Sequence, residues 1–210
     1  MSARAVVTAI LLGACLQATA GTLVAHVVGK DGMPVEDAAV VLEPLAGGAG
    51  VRPVKAEIAQ QDREYMPYLT IVPRGTVVEF PNRDPFKHHV YSFSPAKVFE
   101  IKLYAGKAAQ PVVFDQTGEV ALGCNVHDWM EAYVLVVNSN HYAKSGTDGH
   151  AMIGAVPPGR YSLRLWHPRQ RAEAPAQDIE IGADTRALQL VLDVAPRVAR
   201  PKPPPDAEDY

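Results

Sequence analysis

"GCNVHDWM", residues 123–130, sets a thiol, an imidazole and a thioether three residues apart, at Cys124, His127 and Met130. Taken singly, each has an ordinary reading: a small buried hydrophobe, a surface ring, a core-packing side chain. Their conjunction is less ordinary, because two more imidazoles stand upstream in "FPNRDPFKHHVYSF", residues 80–93, where His88 and His89 open a strand-like run. Neighbours in a strand point to opposite faces, so only one of the pair is expected to turn toward the loop.

Donor chemistry narrows the ion. Thiolate and thioether suit Cu(I), imidazole suits both Cu(I) and Cu(II), and two histidines and a cysteine with a weak axial methionine form a blue-copper arrangement. A structural zinc site more often completes its set with Cys or His. No His-x-His pair occurs in the chain, so an oxygen-reducing multicopper cluster has no ligands. His26, His141, His150 and His167 are scattered and read as surface residues. Ser/His/Asp groupings, P-loops and dinucleotide-binding glycine patterns are missing from the sequence. An enzyme is therefore the least favoured class.

Outward from the loop, strand-like runs come quickly, around residues 56–59, 68–72, 76–80, 88–93, 98–103, 112–114, 119–122 and 132–137. Short strands separated by turns at this spacing are the signature of an all-β sandwich, expected over residues 50–138. Before it, Leu23, Ala25 and Val27 alternate with Val24, His26 and Val28; a turn at Asp31-Gly32 and the apolar run Ala39–Leu42 complete a predicted hairpin. After it, Tyr161, Leu163 and Leu165 alternate with Ser162 and Arg164, Trp166 is expected to pack on the sheet, and residues 179–181 and 188–192 read as further strands. A two-stranded hairpin is marginal alone. It either joins the strands after residue 138 or extends the middle sheet.

The ends read differently. In "MSARAVVTAILLGACLQATA", residues 1–20, Arg4 supplies a basic start, Ala5–Leu16 an apolar stretch and Ala18-Thr19-Ala20 a small-residue cleavage site. About a dozen apolar residues fall short of the roughly 20 that span a bilayer, so export without a membrane span is expected. Leu12-Gly13-Ala14-Cys15 offers a lipid-anchor alternative on Cys15. Cleavage after Ala20 leaves Cys124 without a disulfide partner, so its thiol needs another purpose. The formal charge of −3 has no basic stripe, which disfavours nucleic acid. Residues 195–210, "APRVARPKPPPDAEDY", are Pro-rich and charged and are expected to be disordered.

Residues 71–93 and 99–130 resemble the cupredoxins, in particular the plastocyanin and amicyanin group. The match is a strand ending in Phe80-x-Asn82-x-Asp84, a histidine a few residues on, and the Cys-x-x-His-x-x-Met loop. The resemblance implies His88, Cys124, His127 and Met130 as ligands of one copper ion cycling between Cu(I) and Cu(II). His127 would be the surface imidazole and Met130 the axial thioether. His89 then falls where the family has a side chain that helps lock the cysteine loop, and an imidazole there departs from the pattern. The implied role is a monomeric periplasmic electron carrier meeting its redox partners transiently, with Trp129 and Pro85-Phe86 as candidate rim residues; Trp129 reads equally as a core anchor. The whole chain is also similar to proteins labelled methylamine utilization protein. "GKDGMPVEDAAVVL" and "TDGHAMIGAVPPGRYSL" resemble the first and last parts of a transthyretin-like or carboxypeptidase-regulatory-like sandwich, which would make residues 22–46 plus 139–194 one split domain. A copper carrier and an envelope binding module with a relic copper loop stand as alternatives.

Overall fold

The computed structural model describes residues 19–47, 50–107 and 110–198. Most of the expected export segment, Cys15, and residues 199–210 of the tail lie outside the described residues. The described chain is all-β. In order the strands are β1 Gly21–Val28, β2 Ala39–Pro44, β3 Lys55–Glu57, β4 Ala59–Gln61, β5 Glu64–Met66, β6 Leu69–Pro73, β7 Thr76–Glu79, β8 Pro81–Asn82, β9 His88–Ser94 and β10 Lys97–Tyr104. They continue with β11 Gly106–Lys107, β12 Val112–Phe114, β13 Gly118–Gly123, β14 Glu131–Val137, β15 His141–Lys144, β16 His150–Val156, β17 Gly159–Trp166, β18 Gln177–Ile181 and β19 Thr185–Val191.

The predicted opening hairpin does not form. β1 lies between β16 and β19, whereas β2 lies between β15 and β17 in a different sheet. The segment between them crosses from one sheet to the other, held by the Val28–Pro34 bridge. β1 keeps the alternation read from sequence, with Leu23, Ala25 and Val27 fully buried and Thr22, Val24 and His26 half-buried. Its buried face joins Val40, Leu42, Tyr161, Leu163, Ile179 and Ile181 in one core.

The middle segment builds a second core. Strands β10-β9-β13-β14-β6 form a five-stranded sheet, and β12-β7-β3 and β11-β8-β4-β5 form two smaller ones. Val78, Phe80, Val90, Phe114, Val120, Val134 and Val136 fill the space between them. A third cluster, Ala39, Val41, Leu69, Leu135, Val137 and Trp166, joins the two sandwiches. Period-2 geometry explains why β2 and β14 are apolar without a break: Val40 and Leu42 face the first core while Ala39 and Val41 face the junction. Likewise Val134 and Val136 face the middle core while Leu135 and Val137 face the junction.

His167 corrects the surface reading. It is fully buried; its Nδ1 accepts from the Arg169 N–H at 2.9 Å and its Nε2 donates to the Glu36 carbonyl at 3.2 Å. Burial first, then the Arg169 charge, pushes its pKa down to about 4. The start of the Pro-rich tail, expected to be disordered, is anchored at residues 195 and 197: Ala195 N donates to the Arg169 carbonyl at 2.9 Å, and the Arg197 guanidinium lies 4.6 Å from the Tyr68 ring centre.

Candidate metal centre

Two loops at one end of the middle sandwich carry the site. The first runs from β8 to β9 and is organised by Asn82, whose buried amide donates to the Phe86 and Tyr104 carbonyls at 2.8 and 2.9 Å. Asn82 Oδ1 accepts the Asp84 N–H at 3.0 Å, the local side-chain-to-backbone bond that favours Asn in turns. This bend puts Asp84 and His88 face to face, with Oδ2 2.7 Å from Nε2. The second loop joins β13 to β14: Cys124 follows the last residue of β13, Met130 precedes β14, and Met130 N donates to the His127 carbonyl at 3.0 Å.

The ligand atoms of His88, Cys124 and His127 lie within 4.8 Å of one another. Nδ1 of His88 is 3.2 Å from Nδ1 of His127. Two ring nitrogens bound at about 2.0–2.1 Å to one tetrahedral ion would stand roughly 3.3 Å apart, so the observed spacing suits a shared ion. His88, Cys124, His127 and Met130 are 0, 4, 3 and 2 % exposed. Met130 shares a core cluster with Cys124. His89, the strand neighbour, turns away and places Nε2 2.9 Å from Glu100 Oε1 on β10. A thiol and two imidazoles brought together out of water form a donor set that fits copper.

The surroundings of His88 are built to hold it. Asp84 Oδ1 and Oδ2 also accept the N–H groups of Asp62 and Arg63 at 2.7 and 3.0 Å. Those two residues form the β4–β5 turn with φ of 55° and 58°, the left-handed conformation that two-residue hairpin turns demand and that usually selects Asn or Gly. Burial alone would raise the Asp84 pKa. The bonds from the His88 ring and from the Arg63 and Asp62 amides outweigh it and hold the carboxyl below its ordinary value. Asp84 is therefore an anion at neutral pH, and its bond to Nε2 leaves Nδ1 as the nitrogen on the His127 side. A carboxylate behind a ligating histidine fixes ring orientation and raises basicity.

One expectation is corrected here. His127 does not reach the surface. The rings of Trp129 and Phe86 lie 5.0 and 5.9 Å from its own and cover it, and these two are the partly exposed aromatics, beside exposed Pro85. Trp129 is pinned by Nε1–H donation to the Arg63 carbonyl at 3.1 Å. The His89 side chain, whose bearing on the cysteine loop the sequence left open, is bonded to Glu100. Tyr65, 2 % exposed, points its hydroxyl at the carbonyls of His89 and Gly123, at 2.8 and 2.9 Å. Burial, and then Cys124, push its pKa well above the ordinary tyrosine value, so it stays a donor. Sequence reasoning missed Tyr65; nothing in "REYMPY" distinguishes this tyrosine from a core aromatic.

No protein-family model matches the sequence, and no curated protein does. Solved structures resemble part of it. A purple cupredoxin from Nitrosopumilus maritimus is 24 % identical over 39 % of this chain and 99 % of its own, with a TM-score of 0.35. Amicyanin from Paracoccus versutus is 14 % identical over 49 % of this chain and all of its own, with a TM-score of 0.34. A copper-containing nitrite reductase from Thermus scotoductus SA-01 is 22 % identical over 46 % of this chain, with a TM-score of 0.39; the match spans about a quarter of that enzyme, 26 %. The chain is thus an all-β protein similar to cupredoxins.

Proposed function

We propose that the chain is an exported single-copper electron-transfer protein, with His88, Cys124, His127 and Met130 as ligands. The observation that carries this reading is the 3.2 Å approach of the two Nδ1 atoms, with Cys124 beside them in a pocket closed to water. Bound copper would supply a one-electron couple. The protein's part is to hold the donors on two loops braced by strands, with Asp84 fixing the His88 ring so that the first imidazole cannot swing. Phe86 and Trp129 exclude water from His127 and offer the aromatic surface through which a redox partner would meet the centre. Transient contacts of this kind are typically below about 1,200 Å².

The proposal extends to the remaining segments. Residues 22–46 and 139–194 are read as one transthyretin-like sandwich interrupted by the 50–138 cupredoxin segment, which the pairing of β1 and β2 with strands after residue 138 supports. Among the described residues no helix is long and apolar enough to cross a membrane. The periplasm, a monomeric state and a place in methylamine utilization belong to the same proposal.

Copper titration of the purified chain, followed by visible and EPR spectroscopy, tests the central reading. The expected result is an intense thiolate-to-copper charge-transfer band at one copper per chain, abolished in Cys124→Ser. A colourless protein with ordinary Cu(II) signals would overturn it.

A further inference from the structure

We infer that Tyr65 is a positioning residue whose hydroxyl sets the separation of the two strands that carry His88 and Cys124. The inference rests on the copper reading for its purpose, and on geometry for its substance. β9 and β13 are neighbours in the five-stranded sheet, yet their ladder is confined to the Gly123–Tyr91 pair. β13, by contrast, runs in register with β14 from Gly118 to Gly123. The one backbone pair of the β9–β13 seam therefore lies at its metal end, beside Cys124, and away from that pair the seam lacks continuous backbone pairing.

Tyr65 enters that seam from β5, in a different sheet. Its one hydroxyl proton is shared by the carbonyl after His88, that of His89, and the carbonyl before Cys124, that of Gly123. Both acceptors belong to residues covalently adjacent to a ligand, so a change in their spacing moves a ligand. From the opposite side the Tyr91 ring packs on Gly123 so closely that a Cβ there would stand 2.6 Å from Cζ. Gly123 is thus held between two tyrosines, one through its carbonyl and one across its bare Cα. Without the hydroxyl, the His89 carbonyl in a buried contact and the Gly123 carbonyl in a part-buried one would each lose this donor, a cost that separation of the strands and entry of water would relieve.

The substitution Tyr65→Phe removes the donor and keeps the ring. Two measurements on the purified chain read the result: alkylation of Cys124 by iodoacetamide in metal-free protein, and Cu(I) affinity by chelator competition. Alkylation is expected to rise about tenfold, the factor one buried hydrogen bond carries. Affinity is expected to fall about 10–100-fold, the usual effect of losing a residue that orients ligands. Replacing Tyr65 by 4-aminophenylalanine, which offers one N–H to each carbonyl, should restore both; 4-methoxyphenylalanine should restore neither. Parent-like alkylation and affinity in Tyr65→Phe, or no restoration by the amino analogue, would overturn the inference. If Tyr65→Phe does not fold, the amino analogue decides: parent-like alkylation supports the clasp, and faster alkylation refutes it. A parent lacking the charge-transfer band, with the alkylation effect intact, would sink the copper reading and leave the clasp standing.

Discussion

Oδ2 of Asp84 stands 2.7 Å from Nε2 of His88, with the two side chains 7 % and 0 % exposed. The same carboxylate accepts both amides of the left-handed Asp62-Arg63 turn, so a strained hairpin tip and a candidate metal ligand share one anchor. Backbone strain of this kind persists where surrounding bonds over-determine it. Asp84→Ala is expected to weaken Cu(I) binding by about 10–100-fold through loss of ring orientation. Chelator competition measures it; unchanged affinity would show that His88 is held by packing alone.

Burial of His127 under Trp129 and Phe86 has a consequence for its chemistry. In metal-free parent protein the ring is expected to resist diethyl pyrocarbonate, because it is 3 % exposed. Trp129→Ala removes the ring 5.0 Å away and should make His127 reactive, with peptide mapping as the readout. Equal modification of His127 in both proteins would contradict the covered position.

The His167 ring gives a pH dependence far from the candidate centre. Neutral, it satisfies one donor and one acceptor; protonated, its Nδ1 proton would face the Arg169 N–H. Its folded pKa of about 4 lies below the ordinary 6.5, so the unfolded chain takes up the proton first as pH falls. The stabilisation is fully present above pH 6.5 and is lost as pH falls toward 4, a total of roughly 3 kcal/mol. Denaturant unfolding at several pH values across this window should show the loss in the parent. His167→Gln should lack that increment.

Leu135 sits where the two sandwiches meet, 8 % exposed among Ala39, Val41, Leu69 and Trp166. Leu135→Ala is expected to cost about 2–4 kcal/mol, the range for emptying a packed apolar site. Thermal unfolding followed by tyrosine and tryptophan signals should show a lowered midpoint. A shift under one degree would indicate that the junction contributes little.

Much of the all-β character was legible locally. Alternation over Leu23–Val27 and Tyr161–Leu165, and closely spaced turns between short apolar runs, are period-2 signals that need no partner to be read. The unbroken apolar runs Ala39–Leu42 and Val134–Val137 were legible as strands, but not as strands buried on both faces, because that depends on a second sheet distant in sequence. His167 was misread for the same reason: its two hydrogen-bond partners include Glu36, more than a hundred positions away.

By itself the sequence determined the candidate donor types and the loop that carries three of them, since Cys124, His127 and Met130 are bound into one short turn by chain connectivity. It also determined that only one of His88 and His89 can face that loop, because strand geometry forbids both. Tertiary structure alone decided the rest: that His88 meets His127 across two loops, that Asp84 and the 62–63 turn stand behind it, that Tyr65 fills the β9–β13 seam, and that Phe86 and Trp129 cover His127. Each is a contact between segments far apart in the chain, set by how sheets pack and not by any local pattern of residues.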